Sequence, residues 1–494
     1  MKNAFLALAF VLSAWACCSA DADIPVGSSA YDDFELLELK GLLKSGMLST
    51  RPFSRSEGAR LLKEAMEGWD KLPEEEKARK RAEKTIKRLS REFGLQARPD
   101  GAYLKPAGRP YSKMVYSDGA PYFLSVNNNG DLYTDGFNFR AGFSTEAGFS
   151  GLSLVLGPEY RADSDGSRLE FVYGYAMLRF AGIELMAGKE PMWWGPGYHG
   201  ALLLTNNAKP LDMIRLTSSH PFLLPWIFEW FGPLKPTFFL ARLEKERDFP
   251  RANLLGMRLD FKPTPRFRFG LNRVFMFGGE GRKSLGVSDW FKVFIASDSA
   301  EHSDSSTNGN QIVSLDASYV YVNEWSLLPF SGIKVYTEWG AEDSSGDTKT
   351  PTGRANIYGA YVDEPFWLAN TDLRVEWANT ARNARYGPLW YSHVVYNSGY
   401  THEGRIIGHH MGTDARNLFA RAQLRLEDAV IGLEYDVERS GIHGASEAKK
   451  RWVGLDLAYI YKRATLKTGL GLTDQINGTS AEGPTGWASI TFDF

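Results

Sequence analysis

Two adjacent indoles beside a Gly-Pro-Gly turn have the composition of a surface on which sugar rings stack. Such a run occurs at Trp193-Trp194-Gly195-Pro196-Gly197, and the chain continues through His199 to Asn206 and Asn207, whose amides can serve hydroxyls. A second stretch combines aromatic faces with a cation: Trp390, Tyr391, His393, Tyr396, Tyr400 and Arg405. Recognition of a carbohydrate without bond-breaking needs both kinds of group, a ring face for C–H bonds and fixed polar groups for hydroxyls. The same residues also have a packing reading. The Trp pair would then anchor at a membrane interface, the asparagines form an ordinary turn, and the tyrosines fill a barrel mouth. The residues alone leave both readings open.

Other chemistry is thin. His393, His409 and His410 with Asp414 have the types for a metal or acid–base centre. Adjacent histidines in extended chain point to opposite faces, so neither a metal site nor a cofactor is expected. No Gly-x-Ser-x-Gly is present to present a serine nucleophile, so no catalytic residue is assigned and the chain reads as a non-enzyme. A net charge of −2 over 494 residues gives no reason to expect nucleic acid.

The elements that must position these residues follow from the order of the chain. Residues 1–20 read as a secretory signal peptide, with Lys2, an apolar run from Ala4 to Ala16, then Cys18, Ser19 and Ala20. Trp15 spoils a lipoprotein box, and with both cysteines in this leader the mature chain is expected to lack thiols. No later run of 18 or more apolar residues exists, so spanning helices are not expected. Residues 24–100 have helical texture. Leu36, Leu39, Leu43 and Met47 share one stripe; Ser54 and Glu57 are spaced as a capping box; Ala82, Ile86, Leu89 and Phe93 make a third stripe that ends at Gly94. The Lys and Arg residues between Lys77 and Arg91 read as a solvated face.

From residue 111 to 494 the period is two. Phe137, Phe139, Ala141 and Phe143 alternate with Asn138, Arg140, Gly142 and Ser144, and Val453, Leu455, Leu457 and Tyr459 alternate with polar or small residues. Arg421 and Arg425 oppose Glu434 and Asp436 as charge pairs suited to filling a lumen. The last residues alternate too, with Ala488, Ile490, Phe492 and Phe494 on one face. Apolar outside and charged inside, with long connections at 278–311, 342–354 and 380–416, predicts an all-β transmembrane barrel of about 18 antiparallel strands. A small N-terminal helical bundle would close or brace one end.

Three separated motifs resemble the Wzi-type capsule assembly proteins. They are Ile24-Pro25-Val26-Gly27-Ser28 with Tyr31, Gly46 and Arg51-Pro52-Phe53-Ser54-Arg55; the run Gly188 to Gly197 leading into Leu202 to Pro210; and Tyr391-Ser392-His393 with Tyr396, Tyr400, Arg405 and His409. The resemblance implies an outer-membrane barrel whose helices lie in the periplasm. It also implies a lectin that holds capsular or extracellular polysaccharide to the cell; the apolar outer face adds outer-membrane lipid as a partner, and the terminal strand ending in Phe494, which resembles the assembly signal of such barrels, adds the barrel-assembly machinery. A monomer is expected. The competing reading is a pore for small solutes or polysaccharide export, since a barrel of this size can enclose water.

Overall fold

The computed structural model describes residues 21–93, 102–283, 285–286, 288–289, 309–324, 327–345, 350–381, 390–444, 446–476 and 483–492. The expected signal peptide, Gly94, Phe494 and most of the 278–311 connection lie outside these residues. Eighteen strands form one closed antiparallel barrel. It closes where the strand Tyr103–Ser117 pairs with the strand Pro484–Phe492, Tyr111 facing Thr491.

The period-two pattern sets which face looks where. Leu470 on the outer wall is 68 % exposed, whereas Arg258 on the inner wall is 0 % exposed. A water-soluble barrel has the opposite arrangement, so this outer surface is made for hydrocarbon. Many of the inner charges are paired, which offsets the cost of burying them. Arg140 meets Asp131 at 3.0 Å and Asp163 at 3.1 Å, and Arg258 meets Asp316 at 2.6 Å. The expected hairpin pairing holds for Arg421, which lies 3.0 Å from Glu434. Arg425 and Asp436 go elsewhere: Arg425 meets Asp372 and Asp33, and Asp436 meets His199.

Among the described residues four helices precede the barrel, where the sequence shows three stripes: α1 Ala30–Leu39, α2 Arg55–Asp70, α3 Glu74–Lys80 and α4 Glu83–Phe93. The α1 stripe stops short of Met47 because Gly41 takes a left-handed φ of 72° just past the helix end. Ser54 Oγ accepts the Glu57 N–H at 3.1 Å, one half of the capping box. The Glu57 carboxylate turns instead to Arg60, two bonds of 2.7 Å each. Arg81, at φ 49°, separates α3 from α4 and reaches Glu364 on the barrel at 2.8 Å.

The solvated-face reading holds in part: Lys80 pairs with Glu76 at 3.7 Å within α3, and Lys87 and Arg91 stay exposed, but the run also finds partners beyond its own helices. Lys87 pairs with Glu427 at 3.4 Å, Arg91 with Asp428 at 3.3 Å, and Arg88 with Asp33 at 2.6 Å. The basic run therefore also faces carboxylates of the barrel rim and of α1. The helices sit at the end where tight turns dominate, such as 427–428 and 462–463. Connections at the other end are mostly longer, and 117–136, 189–212 and 390–415 turn inward.

The two ends meet inside. Thr50–Arg51 pairs with Trp193–Trp194 as a two-stranded ribbon, and Gly195 N–H donates to the Ser49 carbonyl at 2.9 Å. Around it Leu202, Leu203, Trp390, Tyr391 and Tyr400 pack against wall residues such as Met186, Met213 and Ile357. In planar bilayers the intact protein is therefore expected to carry no large steady current. Deleting residues 30–93 alone should leave most of the blockage, because the opposite loops fill the lumen as well. A large steady current from the intact chain would contradict this closed interior.

Candidate functional site

The first candidate stretch leaves the wall after the strand Ile183–Lys189 and returns to it at the strand Asp212–Ser218. Between them the chain lies within the lumen. Trp193 and Trp194 are buried, and Trp194 packs on Phe239 with centroids 5.3 Å apart. Asn206 Nδ2 donates to the Asn127 carbonyl at 2.8 Å, and Asn207 Nδ2 donates to the Ile406 carbonyl at 2.9 Å. His199 stacks on Phe419 at 4.0 Å, with planes 9° apart.

The second stretch wraps over the first. The Tyr391 hydroxyl donates to the Leu202 carbonyl and accepts the His409 N–H at 2.8 Å. The Tyr400 hydroxyl donates to the Leu203 carbonyl at 2.7 Å, and its ring stacks on Tyr391 at 5.6 Å. Arg405 Nε donates to the Asn207 carbonyl, and a second guanidinium nitrogen donates to the Ser125 carbonyl, both at 2.8 Å. Tyr396 donates to the Gly278 carbonyl at 3.0 Å, while His393 Nδ1 accepts the Val395 and Tyr396 N–H groups. Trp390 is buried beside Tyr391, their centroids 5.3 Å apart.

The two stretches thus come together through Asn207–Arg405, Leu202–Tyr391 and Leu203–Tyr400. The ring faces pack on protein, and the polar tips of Asn206, Asn207, Tyr391, Tyr396, Tyr400 and Arg405 are spent on backbone carbonyls. Of the two readings left open by the sequence, this burial favours packing over a water-facing stacking surface. Tyr391 sits at φ 67°, a conformation rare for an aromatic residue, held by its hydroxyl bonds at one end and Glu342 on its N–H at the other. Gly408 carries no side chain for a similar reason: an added Cβ would lie 2.1 Å from the Leu202 carbonyl oxygen.

The histidines depart from expectation. His393 lies apart, and Asp414 pairs with His443 at 2.8 Å. His409 and His410 fall in an irregular loop, so their rings do not diverge as in a strand. Their centroids are 4.5 Å apart, with planes tilted by 34°. His199 approaches the same place, its ring 4.7 Å from that of His410 and its Nε2 2.7 Å from Asp436. Burial favours a neutral His199, but the Asp436 carboxylate outweighs it and raises the imidazole to about 9. Burial pushes His409 down to about 3, and the neighbouring His199 adds to that.

A second polar centre was not read from the sequence. Asp23 takes Arg215 at 2.7 Å and Arg179 at 3.1 Å, and Glu190 meets Arg215 at 2.7 Å. Burial raises the Glu190 carboxyl well above its usual range despite Arg215, with Asp23 adding to the rise. Glu190 lies within the run Gly188 to Gly197, but nothing local signals its partners across the barrel.

Above this interior, the accessible surface at the long-loop end includes Val394, which is 83 % exposed, and the tip of the hairpin formed by Thr401–His402 and Arg405–Ile406. At that tip Glu403 meets Lys209 at 2.7 Å.

Comparison with known proteins agrees with this architecture. The Escherichia coli outer-membrane protein Wzi, described as involved in group 1 capsule assembly and as a carbohydrate-binding β-barrel, superposes with a TM-score of 0.74. The superposition covers 96 % of this chain and 99 % of that one at 19 % identity, so the two share a fold. An uncharacterized 55.8 kDa protein from the cps region of Klebsiella pneumoniae is 28 % identical over 191 residues, covering 37 % of this chain and 35 % of that protein. The match thus spans about a third of that relative's length. The family model described as capsule assembly protein Wzi matches residues 108–485, well over half of the sequence, and this chain belongs to that family.

Proposed function

We propose that this protein is a non-enzymatic lectin of the outer membrane that holds capsular or extracellular polysaccharide at the cell surface. The helices α1 to α4 would then lie on the periplasmic side. The observation that carries this reading is the lumen filled from both ends, joined at the ribbon between Thr50–Arg51 and Trp193–Trp194. A wall of this size whose lumen is packed by described residues from both ends is suited to presenting a surface, and poorly suited to passing a solute or a polymer. In this reading Trp193, Trp194, His199, Asn206, Asn207, Trp390, Tyr391, His393, Tyr396, Tyr400 and Arg405 act indirectly. They hold the loops whose outer faces, around Lys209, Val394 and Glu403, meet the sugar.

The test compares cells with and without the protein. Loss of the protein is expected to release polysaccharide into the medium while the total amount made stays constant. Accumulation inside the cell would instead support the export-pore reading. Equal retention on both kinds of cell would sink the lectin reading.

A further inference from the structure

Three side chains from three separate elements converge in the buried interior. His199 comes from the inward loop 189–212, His410 from the inward loop 390–415, and Asp436 from the wall strand Ala429–Ser440. A ligand atom of each lies within 4.8 Å of the others. The second, independent observation concerns His410. Its side chain is 1 % exposed, and neither ring nitrogen has a hydrogen-bond partner among the described residues. His409 Nε2 beside it is in the same position. The nearest acidic oxygen to His410 is that of Glu438, at 3.6 Å from Nε2, beyond a good hydrogen bond.

A buried imidazole with both nitrogens unsatisfied is rare, because each has given up water for nothing. A pair of imidazoles and a carboxylate is also the donor set of a borderline cation, which would displace the proton that His199 Nε2 shares with Asp436 at 2.7 Å. We propose that His199, His410 and Asp436 bind one divalent transition metal of the zinc type. Tetrahedral zinc with bonds of about 2.0–2.1 Å holds its ligand atoms roughly 3.3 Å apart, so side-chain rotations of an ångström or so bring this set into place. A fourth position falls to water, to Glu438 or to His409. The ion would staple both inward loops to the wall, a structural role that no residue of the proposed sugar-facing surface shares. The proposal is independent of that lectin reading.

The experiment uses the full chain, refolded in detergent with zinc sulfate or with EDTA, desalted, and assayed for metal by mass spectrometry. About one zinc per folded chain is expected to survive desalting. It should be lost in His410→Ala and Asp436→Asn and kept in His443→Ala, which alters a histidine outside the cluster. Refolding with cobalt(II) adds a readout that does not depend on stability. The parent should show the intense visible bands of a tetrahedral N/O site, and His410→Cys should shift them towards sulfur ligation if the residue binds the ion. A parent that retains no metal under either condition would overturn the proposal. So would zinc retained equally by His410→Ala and Asp436→Asn, or cobalt bands unchanged in His410→Cys.

Discussion

Replacing Glu35 by Ala should loosen the N-terminal helices from the barrel and lower stability by about 3–5 kcal/mol. Glu35 is 2 % exposed on α1 and faces three cations. Arg374 lies at 2.7 Å, Lys334 at 3.0 Å and Arg51 at 3.1 Å. Removing the carboxylate leaves these cations buried without their common partner, which costs far more than an exposed ion pair would. Glu35→Leu should do no better, since filling the space leaves the charges. The measurement is chemical denaturation of the detergent-folded protein, with protease cleavage within residues 30–93 as a local readout. A variant as stable and as resistant as the parent would refute the argument.

The pH dependence has a definite sign. Burial alone would raise the Glu35 carboxyl, but Lys334, Arg374 and Arg51 together outweigh burial and hold it well below the ordinary 4.5. A carboxyl lowered in the folded state contributes its full stability above its unfolded value and loses it as pH falls towards the folded one. The gap between parent and Glu35→Ala should therefore be constant above about pH 4.5 and shrink on acidification below it.

Trp194→Ala carries an expected effect of similar size. The side chain is fully buried, rests on Phe239, and belongs to the ribbon that joins the two halves of the filling. Truncating a buried Trp costs about 3–5 kcal/mol through lost burial and the cavity left behind. The heat needed to unfold the barrel in a gel-mobility assay should fall clearly. Surface polysaccharide should drop only in proportion to folded barrel. The opposite pattern, parent-like stability with less polysaccharide per barrel, would restore Trp194 to the binding surface. Tyr400→Ala should behave likewise, because its hydroxyl serves the Leu203 carbonyl and its ring serves Tyr391.

The wall was legible because its rule is local. Alternation such as Phe137 to Ser144 needs only neighbouring residues to declare two faces, and closure then follows from the unpaired edges. The helix starts were legible for the same reason, as at Ser54. Arg81 was not, because its left-handed backbone is tied to Glu364, almost three hundred residues away. The partners of the basic face of α3 and α4 were illegible in the same way: a row of Lys and Arg looks identical whether it meets water alone or also the carboxylates Glu427 and Asp428. At the candidate site the residue types were informative and their exposure was not. Trp193-Trp194 beside a Gly-Pro-Gly turn reads the same on an outer surface and in a sealed lumen. Only the register of Thr50 against Trp194 tells them apart.

That register also bears on how the molecule carries force. The filling is one continuous column, in which Tyr391 and Tyr400 grip the segment 202–203, Trp194 N–H donates to the neighbouring Leu204 carbonyl, and the ribbon that pairs Trp194 with Thr50 is tied by the Gly195 N–H to the Ser49 carbonyl. Beyond Thr50 the column is bolted to the opposite rim by Lys40–Asp363 and Arg81–Glu364. A long polymer tugging at the outer loops would load this column along its length, as tension loads a tie rod. The strain would then be shared by both rims and the wall between them, and no single loop would have to bear the drag.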